Sequence, residues 1–128
     1  MRWLKILIAL NGVVSVLYGL MGWFMPTQFW APAGSPVTVI NIIQALSSLQ
    51  LALGIIQLGT WRMNERFGVV LVGVASLFNA FAFGVVLWLA SSNPSSDMFH
   101  QLGAAGAVVW LVVAALYAFL IYRERQEA

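Results

Sequence analysis

The chain has 128 residues, 62% of them hydrophobic, with a mean hydropathy of +0.91 and a net charge of only +2. That composition lies far outside the soluble range and leaves room for one membrane domain but no separate soluble catalytic core. Cysteine is absent, which excludes disulfides, thiolate metal sites and thiol nucleophiles; so small a net charge gives no reason to expect a nucleic-acid partner.

Four apolar stretches, at about 3–25, 37–60, 67–90 and 98–122, each reach the roughly 20 residues that a bilayer-spanning helix needs, with no charged residue inside after Lys5. The predicted fold is therefore all-α: a polytopic membrane protein, an antiparallel bundle of four transmembrane helices. An alternative reading takes Arg2 and Lys5 plus the first apolar run as a signal peptide with Ala31 and Ala33 at its cleavage site. The run is too long for that, and Pro32 interrupts the small-residue motif.

Span one places Asn11, Ser15, Tyr18 and Gly22 on one face, at steps of four, three and four. The loop at 26–36 follows, with three prolines and enough aromatics to lie along the interface, or to fold over the bundle mouth as a lid, rather than stand free in water. Span two is the most polar. Thr38, Asn41, Gln44 and Ser48 form one stripe, and Gln50, Gly54 and Gln57 form another, roughly opposite. A four-helix bundle needs one inward face per helix. The expectation is that Asn41 and Gln44 point into the bundle while Gln50 or Gln57 serves a different surface. The turn at 60–66 is short and makes spans two and three antiparallel neighbours.

Span three carries Gly73, Ser76, Ala80 and Gly84 at helical spacing, with Asn79 beside them. The loop at 91–97 stops one helix and starts the next, and Ser95, Ser96 or Asp97 can cap the new N-terminus. Span four brings Gly103, Ala107, Ala114 and Ala118 to one side. Small residues at this spacing let helix backbones approach, and amides then hydrogen-bond between helices. The tail after 122 reads as a solvated helix end.

Orientation follows from charge. Arg2, Lys5, Arg62, Arg66, Arg123 and Arg125 all fall on one side of this layout, and the loops at 26–36 and 91–97 hold no Lys or Arg. The positive-inside rule then sets both termini in the cytoplasm and the protein in the cell inner membrane. Trp3, Trp23, Trp30, Trp61 and Trp88 sit at predicted span ends, as interfacial Trp should. Trp110 alone falls mid-span; its indole N–H needs an acceptor there, with Ser48, Ser76 or Asn79 at suitable depth.

In this orientation Tyr18, Asn41, Gln44, His100 and Gln101 lie in the outer half of the bilayer and Asn79 near its centre. Together with Ser48 and Trp110 they are the residues expected to line a weakly polar cavity opening outward. Neutral donors and acceptors suit a neutral amphipathic ligand such as a quinone, a sterol-like molecule or a lipid head. No Asp, Glu, Lys or Arg lies within a span beyond the Lys5 at its edge, which argues against charge-coupled transport. His100 is the single histidine, so bis-histidine haem and dinuclear metal sites are excluded and no metal or cofactor is expected. Asp97 and His100, at i and i+3, form the one acid–base pair, and would make His100 a base oriented by Asp97. No nucleophile or oxyanion device accompanies them, so capping by Asp97 is the simpler role.

Residues 19–26, Gly-Leu-Met-Gly-Trp-Phe-Met-Pro, and residues 49–59, Leu-Gln-Leu-Ala-Leu-Gly-Ile-Ile-Gln-Leu-Gly, resemble the corresponding parts of DoxX-like small four-span bacterial membrane proteins. The resemblance covers under a quarter of the chain. It implies a membrane accessory role, sometimes near quinone-linked redox enzymes, and carries over no catalytic residue. The acidic residue often found in that group's second span is missing; Gln44 or Gln50 stands roughly there. The leading expectation is a non-enzymatic membrane protein that acts as an accessory subunit or binds a neutral hydrophobic or amphipathic small molecule. Its expected partners are membrane lipid, such a molecule, and a second copy or another membrane protein. The alternatives are an oligomeric small-molecule facilitator and a membrane enzyme acting on a lipid-like substrate through His100.

Overall fold

The computed structural model describes residues 1–30, 34–92 and 97–126; the side chains of Phe29 and of residues 97–102 lie outside the description. The expected caps Ser95 and Ser96, and the loop residues Ala31, Pro32 and Ala33, fall outside it as well.

Helix α1 runs over Arg2–Phe24 and stops where Pro26, which lacks an N–H and restricts its predecessor, prevents continuation. Pro26 then opens a single turn, α2, at Pro26–Phe29. Helix α3 spans Val37–Gly59 and tightens into a 3₁₀ turn at Thr60–Arg62, where Thr60 Oγ1 donates to the Ile56 carbonyl at 3.0 Å. Helix α4 spans Arg66–Ser91 and α5 spans Asp97–Gln126. At the close of α4 the Ser91 and Ser92 hydroxyls donate to the Trp88 carbonyl at 2.7 and 3.3 Å, satisfying a group the helix end leaves orphaned. A helix of 23 residues is about 35 Å long, enough for a hydrocarbon core of about 30 Å. Four helical stretches, Arg2–Phe24, Val37–Arg62, Arg66–Ser91 and Gly103–Gln126, are long and apolar enough to cross a membrane.

The helices associate as two tight antiparallel pairs, α1 with α3 and α4 with α5. Glycine makes the first pair close: a Cβ on Gly54 would stand 3.0 Å from the Gly12 carbonyl oxygen, and one on Gly19 would stand 2.9 Å from that of Ser47. Gly103 does the same for the second pair, against the Leu87 carbonyl at 2.8 Å. The pairs meet through α1, which touches both α4 and α5. Leu4, Ile8, Val69, Ala80, Leu87, Ala107, Trp110, Ala114 and Tyr117 form the core they share.

Helices α3 and α4, though antiparallel and joined by the short turn, are not the packing neighbours that the turn implies. α3 spends its close-packing face on α1, because Gly54 lies on that face and only a residue without Cβ permits the approach.

Large apolar side chains point outward around the bundle; Phe24, Val37, Phe67 and Leu49 are all about 70% exposed. That distribution suits hydrocarbon, and the backbone is satisfied within the helices as a bilayer requires. Trp3, Trp23, Trp61 and Trp88 are exposed at helix ends. Both termini lie at one end of the bundle. There the Met1 ammonium pairs with Glu124, and Arg66 Nε lies 3.4 Å from the second carboxylate oxygen. The tail is thus not simply solvated: α5 continues to Gln126, and Glu124 is buried.

Candidate functional site: a groove between α3 and α4

Near the end that carries the termini, a side-chain hydrogen bond ties α3 to α4. Gln57, fully buried, donates from Nε2 to Ser76 Oγ at 2.8 Å, and Ser76 passes its own proton to the Val72 carbonyl at 2.8 Å. Beyond it the two helices diverge. The gap is a groove of about 500 Å³, within the range of small-molecule sites. Its α3 wall is built by Ile43, Leu46, Ser47 and Gln50, and its α4 wall by Asn79, Ala82, Phe83 and Val86. Tyr18 and Trp30 close the back.

The back is an aromatic cluster. Tyr18 meets Trp30 edge to face at 5.4 Å and stacks on Phe83 at 6.0 Å, and Phe83 meets Trp110 edge to face at 5.4 Å. Such pairs fix ring positions through quadrupole complementarity, contributing about 0.5–1.5 kcal/mol each beyond area burial. The polar groups on the walls are neutral amides and a hydroxyl. Ser47 Oγ is already committed to the Ile43 carbonyl at 2.7 Å and Gln50 Nε2 to Ser15 Oγ at 3.0 Å, which leaves the Asn79 amide and the Gln50 amide oxygen on the walls to meet a guest. The groove can hold an apolar body and orient it through amide hydrogen bonds. None of its described lining residues is charged.

The expected site residues divide. Tyr18 and Asn79 are half-buried and line the groove. Trp110 is only 8% exposed, so it faces inward as expected, but its neighbours are rings: it contacts Phe83 and, at 6.1 Å, Tyr18. None of Ser48, Ser76 and Asn79 accepts its indole N–H among the described residues. Asn41 and Ser48 are exposed on the outer side of α3, and Ser48 Oγ turns back to the Gln44 carbonyl at 2.9 Å. Gln44 is half-buried, but its Nε2 donates to the Trp23 carbonyl at 3.2 Å, satisfying an orphan at the end of α1. The side chains of Gln101, His100 and Asp97 lie outside the described residues.

Apart from Gln44, which turns toward α1 as expected, the two stripes of α3 are placed opposite to expectation. Gln50 and Gln57 turn inward, and Asn41 and Ser48 turn out. The physical reason is Gly54. It shares the stripe of Gln50 and Gln57, and the helix must present that stripe to α1 to pack at all. A stripe expected to serve a contact outside the bundle is spent within it. Gln50 Nε2 donates to Ser15 Oγ at 3.0 Å, and Ser15 donates to Asn11 Oδ1 at 3.2 Å. The face of α1 with Asn11, Ser15 and Gly22 is buried as expected, and so is the face of α4 with Gly73, Ser76, Ala80 and Gly84. On α5, Ala107 and Ala114 are buried but Ala118 is exposed, because Tyr117 takes the inward position and donates to the Leu7 carbonyl at 3.4 Å.

Sequence reasoning missed Gln50, Phe83 and Trp30 as groove residues. For Gln50 the signal was the glycine four residues on; Phe83 and Trp30 carry none that separates them from other aromatics in the chain. No protein-family model, curated protein or solved structure matches the chain. The fold and groove define a class: an all-α bundle of four membrane-capable helices with a lateral, uncharged, amide-and-aromatic groove.

Proposed function

We propose that this is a non-enzymatic integral membrane protein that holds a neutral amphipathic molecule in the α3/α4 groove. The observation that carries the reading is the groove itself. It is wide enough for a ring system or a lipid segment, has mostly apolar walls, and carries the Asn79 amide together with the Gln50 amide, whose nitrogen is held by Ser15 and whose oxygen is left for a guest. A charged guest would lose its solvation and gain no counter-ion there. The accessory role implied by the DoxX-like stretches fits a protein that stores or presents such a molecule to a neighbour in the membrane.

The membrane is the cell inner membrane, with both termini cytoplasmic, because the six basic residues share one side of the layout. The groove then opens toward the outer leaflet. Reporter fusions after residue 128 and within 93–96 should report opposite sides, the first cytoplasmic; the reverse assignment would overturn the orientation.

Organic extraction of protein purified in mild detergent, followed by mass identification, tests the binding. A neutral amphipathic compound at about one per chain is expected. Recovery of bulk phospholipid alone, in the proportions of the source membrane, would contradict the reading.

A further inference from the structure

The amide of Gln50 is set in one direction from behind. Ser15 has a single hydroxyl hydrogen and donates it to Asn11 Oδ1 at 3.2 Å, so toward Gln50 it can only accept. Gln50 Nε2 donates to it at 3.0 Å, which leaves Oε1 as the end of the amide with no donor. Among the described residues, the orphaned side-chain atoms sealed inside the protein are Asn11 Nδ2, Gln57 Oε1 and Glu124 Oε2. Gln50 Oε1 is not one of them: it is accessible, on a side chain that lines the α3/α4 groove.

Asn79 carries a second amide into the same groove from α4. Both amides sit at its deep end. Gln50 is the last groove residue along α3, about 20 Å from Val37, and Asn79 is the first along α4, one turn beyond the Gln57–Ser76 bond. In a hydrocarbon core about 30 Å thick, a lipid held by its head group at the outer interface brings only acyl chain to this depth. An acyl chain, or a ring carrying only a carbonyl or ether oxygen, would leave Oε1 without a donor. We infer that the groove selects a compact ring compound with a free hydroxyl, an alcohol or a phenol, whose O–H donates to Gln50 Oε1 while its ring body lies against Tyr18 and Phe83. Asn79, which can both donate and accept, is the neighbour able to serve the lone pairs of the same hydroxyl. This inference rests on the α3/α4 groove being the binding site, and narrows its guest from neutral amphipathic molecules to hydroxyl donors.

Binding of tritiated 9-fluorenol to the protein in mild detergent, with competition by unlabelled 9-fluorenol, 9-methoxyfluorene and 9-fluorenone, is the test. The three competitors share one ring system. The methoxy compound keeps the oxygen and loses its hydrogen, and the ketone offers only an acceptor. Ala82→Trp, whose indole fills the groove, measures the label taken up by the micelle, which is subtracted. On the wild-type protein 9-fluorenol should displace the label at about tenfold lower concentration than either of the others. Gln50→Met keeps the length of the side chain without its amide and leaves the bond from Ser15 to Asn11 in place, and should bring the three competitors together. The ranking on the wild-type protein decides the matter if that variant fails to fold. Methoxyfluorene or fluorenone competing as well as fluorenol on the wild-type protein would overturn the hydroxyl selection and leave the groove standing as a binding site. A preference for fluorenol that survives in folded Gln50→Met would do the same. Label bound equally by the wild-type protein and Ala82→Trp would remove the groove itself, and this inference with it.

Discussion

Gln57 Nε2 donates to Ser76 Oγ at 2.8 Å, and this bond joins α3 to α4 on the terminus side of the groove between them. The two residues are not equivalent partners. Ser76 donates its hydroxyl hydrogen to the Val72 carbonyl whether or not Gln57 is present, whereas Gln57 is fully buried and its Oε1 has no donor among the described residues. Ser76→Ala strips a buried amide of its acceptor and should destabilise the protein by about 1–3 kcal/mol. Gln57→Leu removes both the bond and the orphaned oxygen, so its cost should be smaller, under about 1 kcal/mol. Thermal unfolding of both variants in detergent checks the order, and a larger loss for Gln57→Leu would mean that the amide is satisfied in another way.

The α1/α3 pair rests on backbone approach rather than on interlocking side chains. Gly54→Leu would drive a Cβ to 3.0 Å from the Gly12 carbonyl and 2.8 Å from Val16 N, and should cost roughly 1–3 kcal/mol or separate the pair. Gly59 lies on the same helix with nothing within 4 Å of its Cβ position. Gly59→Leu should leave the melting temperature almost unchanged. Equal effects of the two substitutions would remove the close approach from this account.

The four spans were legible in the sequence because length and hydropathy suffice to define them, and α3, α4 and α5 begin within a residue of the expected positions. The inward faces of α1 and α4 were legible for a second reason. Small and polar residues coincide on one face there, as at Ser15 and Gly22 or Ser76 and Gly84, so packing and polarity point the same way. On α3 they conflict. Both stripes are polar, and weighing polarity alone turned the helix the wrong way; Gly54 was the informative residue. The groove itself was not legible, because it arises from the divergence of α3 and α4 once α3 is committed to α1. Glu124 reads as a tail residue in the sequence and is buried only because Met1 and Arg66 converge on it in space.

Trp110 shows the same limit at a single residue. Its depth implied an inward position, and the structure has it there, but it packs on the rings of Phe83 and Tyr18 rather than donating to Ser48, Ser76 or Asn79. Trp110→Phe keeps an aromatic ring in that cluster and should lower stability by less than about 1 kcal/mol. Trp110→Ala empties the position and should cost about 3–5 kcal/mol. Melting curves in detergent distinguish the two, and a large loss for Trp110→Phe would show that the indole N–H makes a bond that matters.

Native mass spectrometry of the wild-type protein and Ala82→Trp, released side by side from mild detergent, tests the central claim most directly. Ala82 lies on the α4 wall and is exposed, so an indole there fills the groove without entering the packed core. The wild-type protein should fly with a neutral small molecule retained, and Ala82→Trp should lose that mass while keeping the same oligomeric state and a similar melting temperature. Equal retention of the same molecule by both proteins would place it elsewhere and contradict the α3/α4 groove as the binding site.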